Sequence, residues 1–486
     1  MKLFCISHKY QYELEKLLLL FFPLEKVEIS GNADGADGDY LYTEVCECES
    51  TVLLKAALCL GGKVSEAEKE LAVSAQLNAE RELALIAFSL LTAACGFTPQ
   101  WGILTGVRPS KLMMSKQSEL GADGAFSYFT DVLRVSPHKA ELAKSVALTE
   151  TKIINTVGKD TFSLYVSVPF CPSRCSYCSF VSHSIGTPSA NKLVPEYVDR
   201  LCDELKLTAE IAAQCGLTLS TVYWGGGTPT TLNAEQLDRV LSVIEGSFDL
   251  SACTEYTVEA GRPDTVTAEK LGVLKKHGVN RISINPQTFS DAVLKAIGRK
   301  HTVKETEEKF ALARSMGFDF INTDLIAGLP ADTPESFRRS VDRAIELGAE
   351  NITVHTLAMK RSSEIVTEHG EGSLDRTVTA GMVDYSREAL TKAGYVPYYM
   401  YRQSKSLGNL ENVGWCKPGR ECLYNIFMME ETQHIFSVGA GAVTKLIDFE
   451  NGSLERICNF KYPFEYNSRF AILAERKKRI NAFFSE

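Results

Sequence analysis

Between about residues 160 and 390 the chain alternates short apolar runs with longer amphipathic stretches. The runs are FSLYVSVPF (162–170), STVYWGGG (220–227), TEYTVEAG (254–261), NRISINPQ (280–287), FINTDLIAGLP (320–330) and NITVHTLAM (351–359). Between them lie helical patterns such as EYVDRLCDELKLTAEIAAQ, AEQLDRVLSVIE, TAEKLGVLKKHG, VKETEEKFALARSMG and PESFRRSVDRAIELG. Nearly continuous apolar strands alternating with one-faced helices predict parallel βαβ units, and six in succession predict a partial (β/α)6 barrel of the TIM type. The fold class expected is α/β, with a smaller α+β domain on either side.

The N-terminal stretch, 1–155, has a different texture. It opens with strand-like KLFCIS, KVEIS and YLYTEVCECE around the Gly- and Asp-rich loop GNADGADGD. A long helical pattern is expected from about Ser65 to Ala94, and Gly106 and Pro109 punctuate a turn in WGILTGVRPSKL. The barrel domain is placed at 156–390. The C-terminal stretch, 391–486, carries YVPYYMYR, the turn-rich SLGNLENVGW, strand-like CLYNIFMME, HIFSVGAGAVTKL and a basic helix, RFAILAERKKR. It is expected to form a small domain covering the substrate.

Composition narrows this picture. The 486 residues allow several domains, and 45% hydrophobic content supports a large core. A net charge of −9 and no long basic run argue against a nucleic-acid partner. The apolar LLLLFFPL near the start is too short to span a bilayer and reads as a buried helix end. Fourteen cysteines without a regular pairing pattern fit a reducing cytoplasm better than secretion. Cys46 and Cys48 read as strand packing.

Three of the cysteines stand apart. Cys171, Cys175 and Cys178 occupy PFCPSRCSYCSF directly after the first barrel strand. Four thiolates would close a tetrahedral metal site or saturate a cubane cluster, whereas three leave one metal corner to a ligand that is not protein. Spacing alone leaves open zinc, with His183 as a fourth ligand, and three unrelated thiols. The other unusual residues fall at strand C-termini, where parallel barrels collect their chemistry. They are Gly225, Gly226, Gly227 and Thr228, then Glu259, then Asn285 and Gln287, then Arg299, then Asp324. Acids in apolar strands are costly unless paired or bound.

The Cys-x-x-x-Cys-x-x-Cys loop resembles the signature of the radical S-adenosylmethionine (SAM) enzymes. In order, the cysteine loop, WGGGTPT, TVEAG, SINPQTF, IGRKHT and TDLIAGLP resemble the oxygen-independent coproporphyrinogen III dehydrogenase family over roughly 160–445. The N-terminal region with LTGVRPSKL is similar to the HemZ-type branch of that family. The resemblance implies a 4Fe–4S cluster on Cys171, Cys175 and Cys178, and SAM contacts from Tyr165, Tyr177, Gly226, Gly227, Thr228, Glu259, Gln287, Arg299, Asp324 and Ala358. Tyr177 is expected against adenine, and Arg299 as a bidentate fork on the methionine carboxylate. No catalytic side chain is assigned beyond this set.

The implied activity is anaerobic oxidative decarboxylation of coproporphyrinogen III in haem biosynthesis, in the cytoplasm, with no membrane span. The implied partners are a tetrapyrrole, coproporphyrinogen III or haem, and a reducing donor such as flavodoxin or ferredoxin. Tyr398, Tyr399 and Tyr401 beside Arg402 and Lys405 are candidates for the substrate slot, or else interdomain core. Phe180 stands where the family's dehydrogenases carry a further cysteine, a departure shared with haem-chaperone relatives. A haem chaperone, a radical methyltransferase acting on haem, and a tRNA-modifying radical enzyme are the alternatives.

Overall fold

In the computed structural model, residues 1–485 are described except 24, 34–36, 179, 181, 359–374 and 404. The chain divides into two units, Met1–Lys144 with Arg402–Glu411, and Ser145–Tyr401 with Asn412–Glu486.

The first unit is built on a five-stranded sheet. Its spatial order is Glu28–Ser30, Lys2–Ile6, Tyr40–Glu47, Thr51–Leu60, Lys63–Ala72. The first three strands are parallel and the last two antiparallel. Along Thr51–Leu60 buried positions alternate with half-buried ones, and the buried face meets the helix Ala79–Cys95. The apolar run near the N-terminus is the end of a helix, Gln11–Phe21, that buries Leu14, Leu17, Leu18, Leu20 and Phe21. The phenyl ring of Phe21 packs edge-on to Phe88 at 5.9 Å.

The helix expected from Ser65 begins only at Ala79, and residues 63–72 form a strand. Apolar residues at helical spacing run across this stretch, but the pairing partner decides its structure. Gly61 and Gly62 both adopt positive φ, 56° and 79°, and turn the chain back onto Thr51–Leu60. Such a two-glycine turn suits a tight hairpin, and tertiary pairing overrides helix propensity. The charges that line this strand also protect an open sheet edge.

Residues 402–411 belong to this unit through buried polar contacts. Glu411 accepts from Lys139 Nζ at 2.6 Å and from Trp101 Nε1 at 2.7 Å. Arg402 lies 5.5 Å over the Trp101 ring and donates to the carbonyls of Leu104 and Gly106 at 2.7 and 3.3 Å. Burial pushes its pKa down to about 10. Arg402 is therefore part of the N-terminal unit's interior, and Lys405 lies in the same 402–411 segment.

The second unit carries an eleven-stranded sheet. Its centre is the six expected strands, Thr161–Val168, Thr218–Gly226, Glu255–Glu259, Arg281–Ser283, Phe320–Ala327 and Asn351–Thr356. They pair in chain order and all in parallel. Several of the intervening helices start at side-chain caps, such as Asn233 with Gln236 and Thr302 with Glu305, which satisfy the first free N–H groups. Met359, the last residue of the sixth expected run, lies outside the described residues.

The sheet does not stop at residue 390. On one side Asn351–Thr356 pairs antiparallel with Glu411–Cys416, beyond which lies Val396–Arg402. On the other, His434–Val438 pairs in parallel with the first barrel strand and is followed by Val443–Ile447 and Leu454–Cys458. Where the sequence suggested a separate C-terminal domain, residues 412–486 share one sheet and one unit with the barrel. The two ends of the sheet stay apart in the strand order, so the barrel is partial.

The strand-like CLYNIFMME is a helix, Leu423–Glu430. Glu255, at the start of the third barrel strand, accepts from the backbone N–H groups of Leu423 and Tyr424 at 2.8 and 3.1 Å. A carboxylate at a helix N-terminus satisfies free donors and complements the helix dipole. That partner is 168 residues away in sequence, so the local apolar run could not reveal it. The final helix, Phe470–Ser485, is anchored by Lys477, which pairs with buried Glu204 at 3.0 Å.

Candidate radical SAM site

The cysteine loop leaves the first barrel strand and is fastened on two sides. His183 pairs with Phe170, and its N–H donates to Pro169 at 2.8 Å. The glycine loop of the second strand lies against it from the other side. Gly227 N–H donates to Val168 at 2.8 Å, and Thr228 N–H to Phe170 at 2.7 Å. Gly226 takes φ of 100°, and a Cβ there would meet Ser167 Oγ at 2.8 Å. A Cβ on Gly227 would sit 2.5 Å from the Phe170 carbonyl oxygen, so only glycine allows this approach.

The three thiols sit in distinct surroundings. Cys171 Sγ faces the Thr228 hydroxyl at 3.5 Å. Cys175 is buried, and Arg262 Nη1 donates to its sulfur at 3.5 Å. The Cys178 thiol is raised by burial and also by the proximity of Cys175 and Cys171. Among the described residues no three His, Cys, Asp or Glu side chains converge as a ready-made metal site. The His183 ring stands edge-on to Tyr462 at 6.3 Å. Phe180 is exposed at 69%. The donor set fits an iron–sulfur cluster. Three thiols share one loop, and a buried guanidinium stands ready to offset thiolate charge.

Around this loop the strand ends supply the expected polar ring. Glu259 ends the third strand and accepts from the Tyr223 hydroxyl at 2.6 Å. Asn285 Nδ2 donates to Asp324 at 2.8 Å, and His355 Nε2 lies 3.8 Å from the same carboxylate. The Tyr401 hydroxyl stands 3.5 Å from His355 Nδ1. Gln287 is a non-glycine residue at φ 70°, pinned by backbone bonds to Asp324 and Ile326. Such strain persists where surrounding structure over-determines it, and it clusters at functional sites. Ala358, half-buried, follows the sixth strand.

Two expected contacts take a different form. Arg299 already donates from Nη1 to the carbonyls of Asn285 and Gly261, at 2.8 and 3.4 Å, and from Nη2 to the Tyr177 hydroxyl at 2.8 Å. Its free capacity is on the Nε side, which is buried without a protein partner. Tyr177 is correspondingly held by its phenol, whose pKa is raised chiefly by burial. Tyr165 stacks at 6.0 Å on Tyr424 and at 6.4 Å on Tyr223. Tyr223 and Tyr424 stack at 4.4 Å. With Tyr398, Tyr399 and Tyr401 these rings belong to one apolar cluster, so the C-terminal tyrosines serve as core.

Several features fit SAM. Asn285 Oδ1 and Arg299 Nε are buried polar atoms without partners, which is costly unless a polar ligand satisfies them. A Cβ on Gly225 would stand 3.3 Å from both the Glu259 carboxyl and the Tyr165 ring, so the glycine lets these two groups pack directly on the strand-end backbone. Sequence reasoning missed Arg262, Tyr223 and His355. The R-P-D that follows the strand-end glycine was the available signal for the first of these.

Burial, with Asp324 adding to it against the Tyr223 hydrogen bond, raises Glu259 to about 7. A carboxyl whose pKa is raised on folding holds its proton more tightly in the folded state. Its contribution to stability is therefore present below the ordinary carboxyl range and is lost as pH rises to about 7. Glu259→Gln should be more stable than the parent by about 3 kcal/mol at about pH 8, with the gap narrowing to about 1 kcal/mol at about pH 5. Urea midpoints at the two pH values measure it, and equal gaps would refute the raised pKa.

A three-thiol loop after the first strand of a parallel half-barrel, facing a ring of strand-end polar groups, defines a radical SAM site. The family description of the Radical SAM superfamily matches residues 165–344. The oxygen-independent coproporphyrinogen-III oxidase-like protein HemZ of Bacillus subtilis is 40% identical over 400 residues, 81% of this chain and 79% of that protein. The heme chaperone HemW of the same organism is 34% identical over 284 residues, 58% of this chain and 70% of HemW. The solved coproporphyrinogen III oxidase HemN of Escherichia coli superposes with a TM-score of 0.52 at 23% identity, covering 68% of this chain and 73% of its own. The chain belongs to the HemZ-type family of the radical SAM superfamily. With that family come a 4Fe–4S cluster and SAM as cofactors, which sets the zinc alternative aside. Among the described residues no helix is long and apolar enough to cross a membrane.

Proposed function

We propose that this protein oxidatively decarboxylates coproporphyrinogen III to protoporphyrinogen IX without oxygen, in haem biosynthesis in the cytoplasm. The observation that carries the reading is the extent of the HemZ likeness. A match over 81% of the chain is too long to be contained in the second unit, so it reaches into the first. The HemW match, at 58%, leaves room for no such argument.

In this reading Cys171, Cys175 and Cys178 hold the cluster. Glu259, Gln287, Arg299 and Asp324, with Tyr165, Tyr177, Gly226, Gly227, Thr228 and Ala358, hold SAM. When bound, the cofactors would supply hydrogen-abstracting 5′-deoxyadenosyl radical chemistry at the β-carbon of a propionate. Each of two propionates would then lose carbon dioxide and pass one electron to an external one-electron acceptor, leaving a vinyl group. The protein's part is to bind, orient and exclude water. Arg299 and Asn285 offer the unpartnered polar atoms. The glycine loop packs backbone to backbone on the cysteine loop and so fixes the position of both. A flavodoxin- or ferredoxin-like protein is the expected electron donor.

Anaerobic incubation of the reconstituted protein with coproporphyrinogen III, reductant and SAM tests this by mass spectrometry. Two losses of carbon dioxide are expected. Formation of 5′-deoxyadenosine with no vinyl product would overturn the reaction while leaving the cofactor chemistry intact. The second reading is a haem chaperone, supported by the HemW likeness and by Phe180 in the cysteine loop. Stoichiometric haem binding without SAM cleavage would select it.

A further inference from the structure

Arg262 lies three residues beyond Glu259 and is 3% exposed. Its Nε and Nη2 form a fork on the Asp264 carboxylate, at 3.0 and 2.9 Å. The remaining donors turn toward the cysteine loop. Nη2 reaches the Ser173 hydroxyl at 3.2 Å, and Nη1 reaches the Ser173 carbonyl at 3.4 Å and Cys175 Sγ at 3.5 Å. One edge of the guanidinium is thus matched by a carboxylate, while its far corner is aimed at a sulfur.

We propose that Arg262 is a positioning residue that sets the reduction potential of the cluster through Cys175. Reduction adds one negative charge to a cluster already bound by thiolates. A buried cation and an N–H···S bond at one of those thiolates stabilise the reduced form more than the oxidised form. Net charge and hydrogen bonds to sulfur are the protein's main means of moving such potentials. Burial keeps the interaction from being screened by salt. Asp264 supports the arrangement by fixing the plane of the guanidinium, and its carboxylate sits on the edge away from the sulfur. If Arg262 only locked its own turn, the Asp264 fork would suffice. The three bonds to Ser173 and Cys175 tie it to the cluster loop instead. Lysine cannot replace it fully, because a single ammonium cannot hold a carboxylate fork and a sulfur at once. The inference holds for either reading of the reaction, since both keep the cluster.

The test uses the full-length protein with its cluster reconstituted, titrated potentiometrically and followed by the paramagnetic signal of the reduced cluster. Arg262→Gln should retain wild-type iron and sulfide content while its reduction equilibrium falls about tenfold, which for one electron is about 59 mV more negative. Arg262→Lys, which keeps the charge but loses the fork, should fall about threefold. If Arg262→Gln does not take up a cluster, Arg262→Lys decides alone. A wild-type potential in any loaded variant overturns the proposal. So does loss of the cluster from both variants with the fold intact, which would make Arg262 purely structural.

Discussion

Cys175→Ala abolishes the cluster and, with it, all cleavage of SAM. The expectation rests on ligand count. A loop with three thiols supplies three cluster ligands and leaves one iron for the cofactor, so removing one thiol leaves a set too small to retain the cluster. Cys175 is the buried member of the three and the one met by Arg262. Its loss also removes one partner of Arg262 Nη1, while the Arg262 fork on Asp264 remains. Iron and sulfide analysis together with 5′-deoxyadenosine quantification measures the effect. The circular dichroism spectrum should be unchanged, because one small side chain on a loop contributes little to the fold. Cleavage at the parental rate would refute the ligand assignment.

Gly227→Ala is expected to act at a distance from the metal but nearly as strongly. A methyl group there would stand 2.5, 2.8 and 2.9 Å from the oxygen, nitrogen and carbonyl carbon of Phe170. All three are backbone atoms, so no side chain can turn aside. The two loops must part, which loosens the bonds from Gly227 to Val168 and from Thr228 to Phe170, and with them the Thr228 contact to Cys171. Overpacking of this kind costs about 1–3 kcal/mol. Retention of iron during desalting should fall about tenfold, the equivalent of about 1.4 kcal/mol in cluster binding. Gly246→Ala is the matched control, because nothing lies within 4 Å of its added methyl. If the two variants behaved alike in denaturation and iron content, the close approach would not matter.

The site was readable where function and local pattern coincide. Five of the six barrel strands carry both an apolar run and a polar group at or just beyond the C-terminal end, so strand and candidate ligand are legible together; the sixth offers only Ala358, and its His355 is not marked by the local pattern. Residues 63–72 carry apolar positions compatible with helical spacing, while the deciding partner is the neighbouring strand across Gly61–Gly62. The helix Leu423–Glu430 was misread because its N-terminal cap, Glu255, comes from the barrel. Arg402 looked like a substrate cation beside three tyrosines. It is instead buried, with Nη1 bound to the carbonyls of Leu104 and Gly106, which lie almost 300 residues earlier in the chain.

What the sequence determined by itself was the set of chemical groups and their order along the chain: three thiols on one loop, glycines on the next, then acids, amides and an arginine at successive strand ends. That much follows because parallel βα units present each strand's C-terminal end to the same face. Only the tertiary structure decided which of these groups engage one another. It bound Arg299 to Tyr177, drew Tyr223 onto Glu259, and set Arg262 between Asp264 and Cys175. These pairings join residues tens to more than a hundred positions apart, apart from the local Arg262–Asp264 fork. They depend on burial, which makes each unpaired charge or donor costly and so forces a choice of partner that no local pattern encodes.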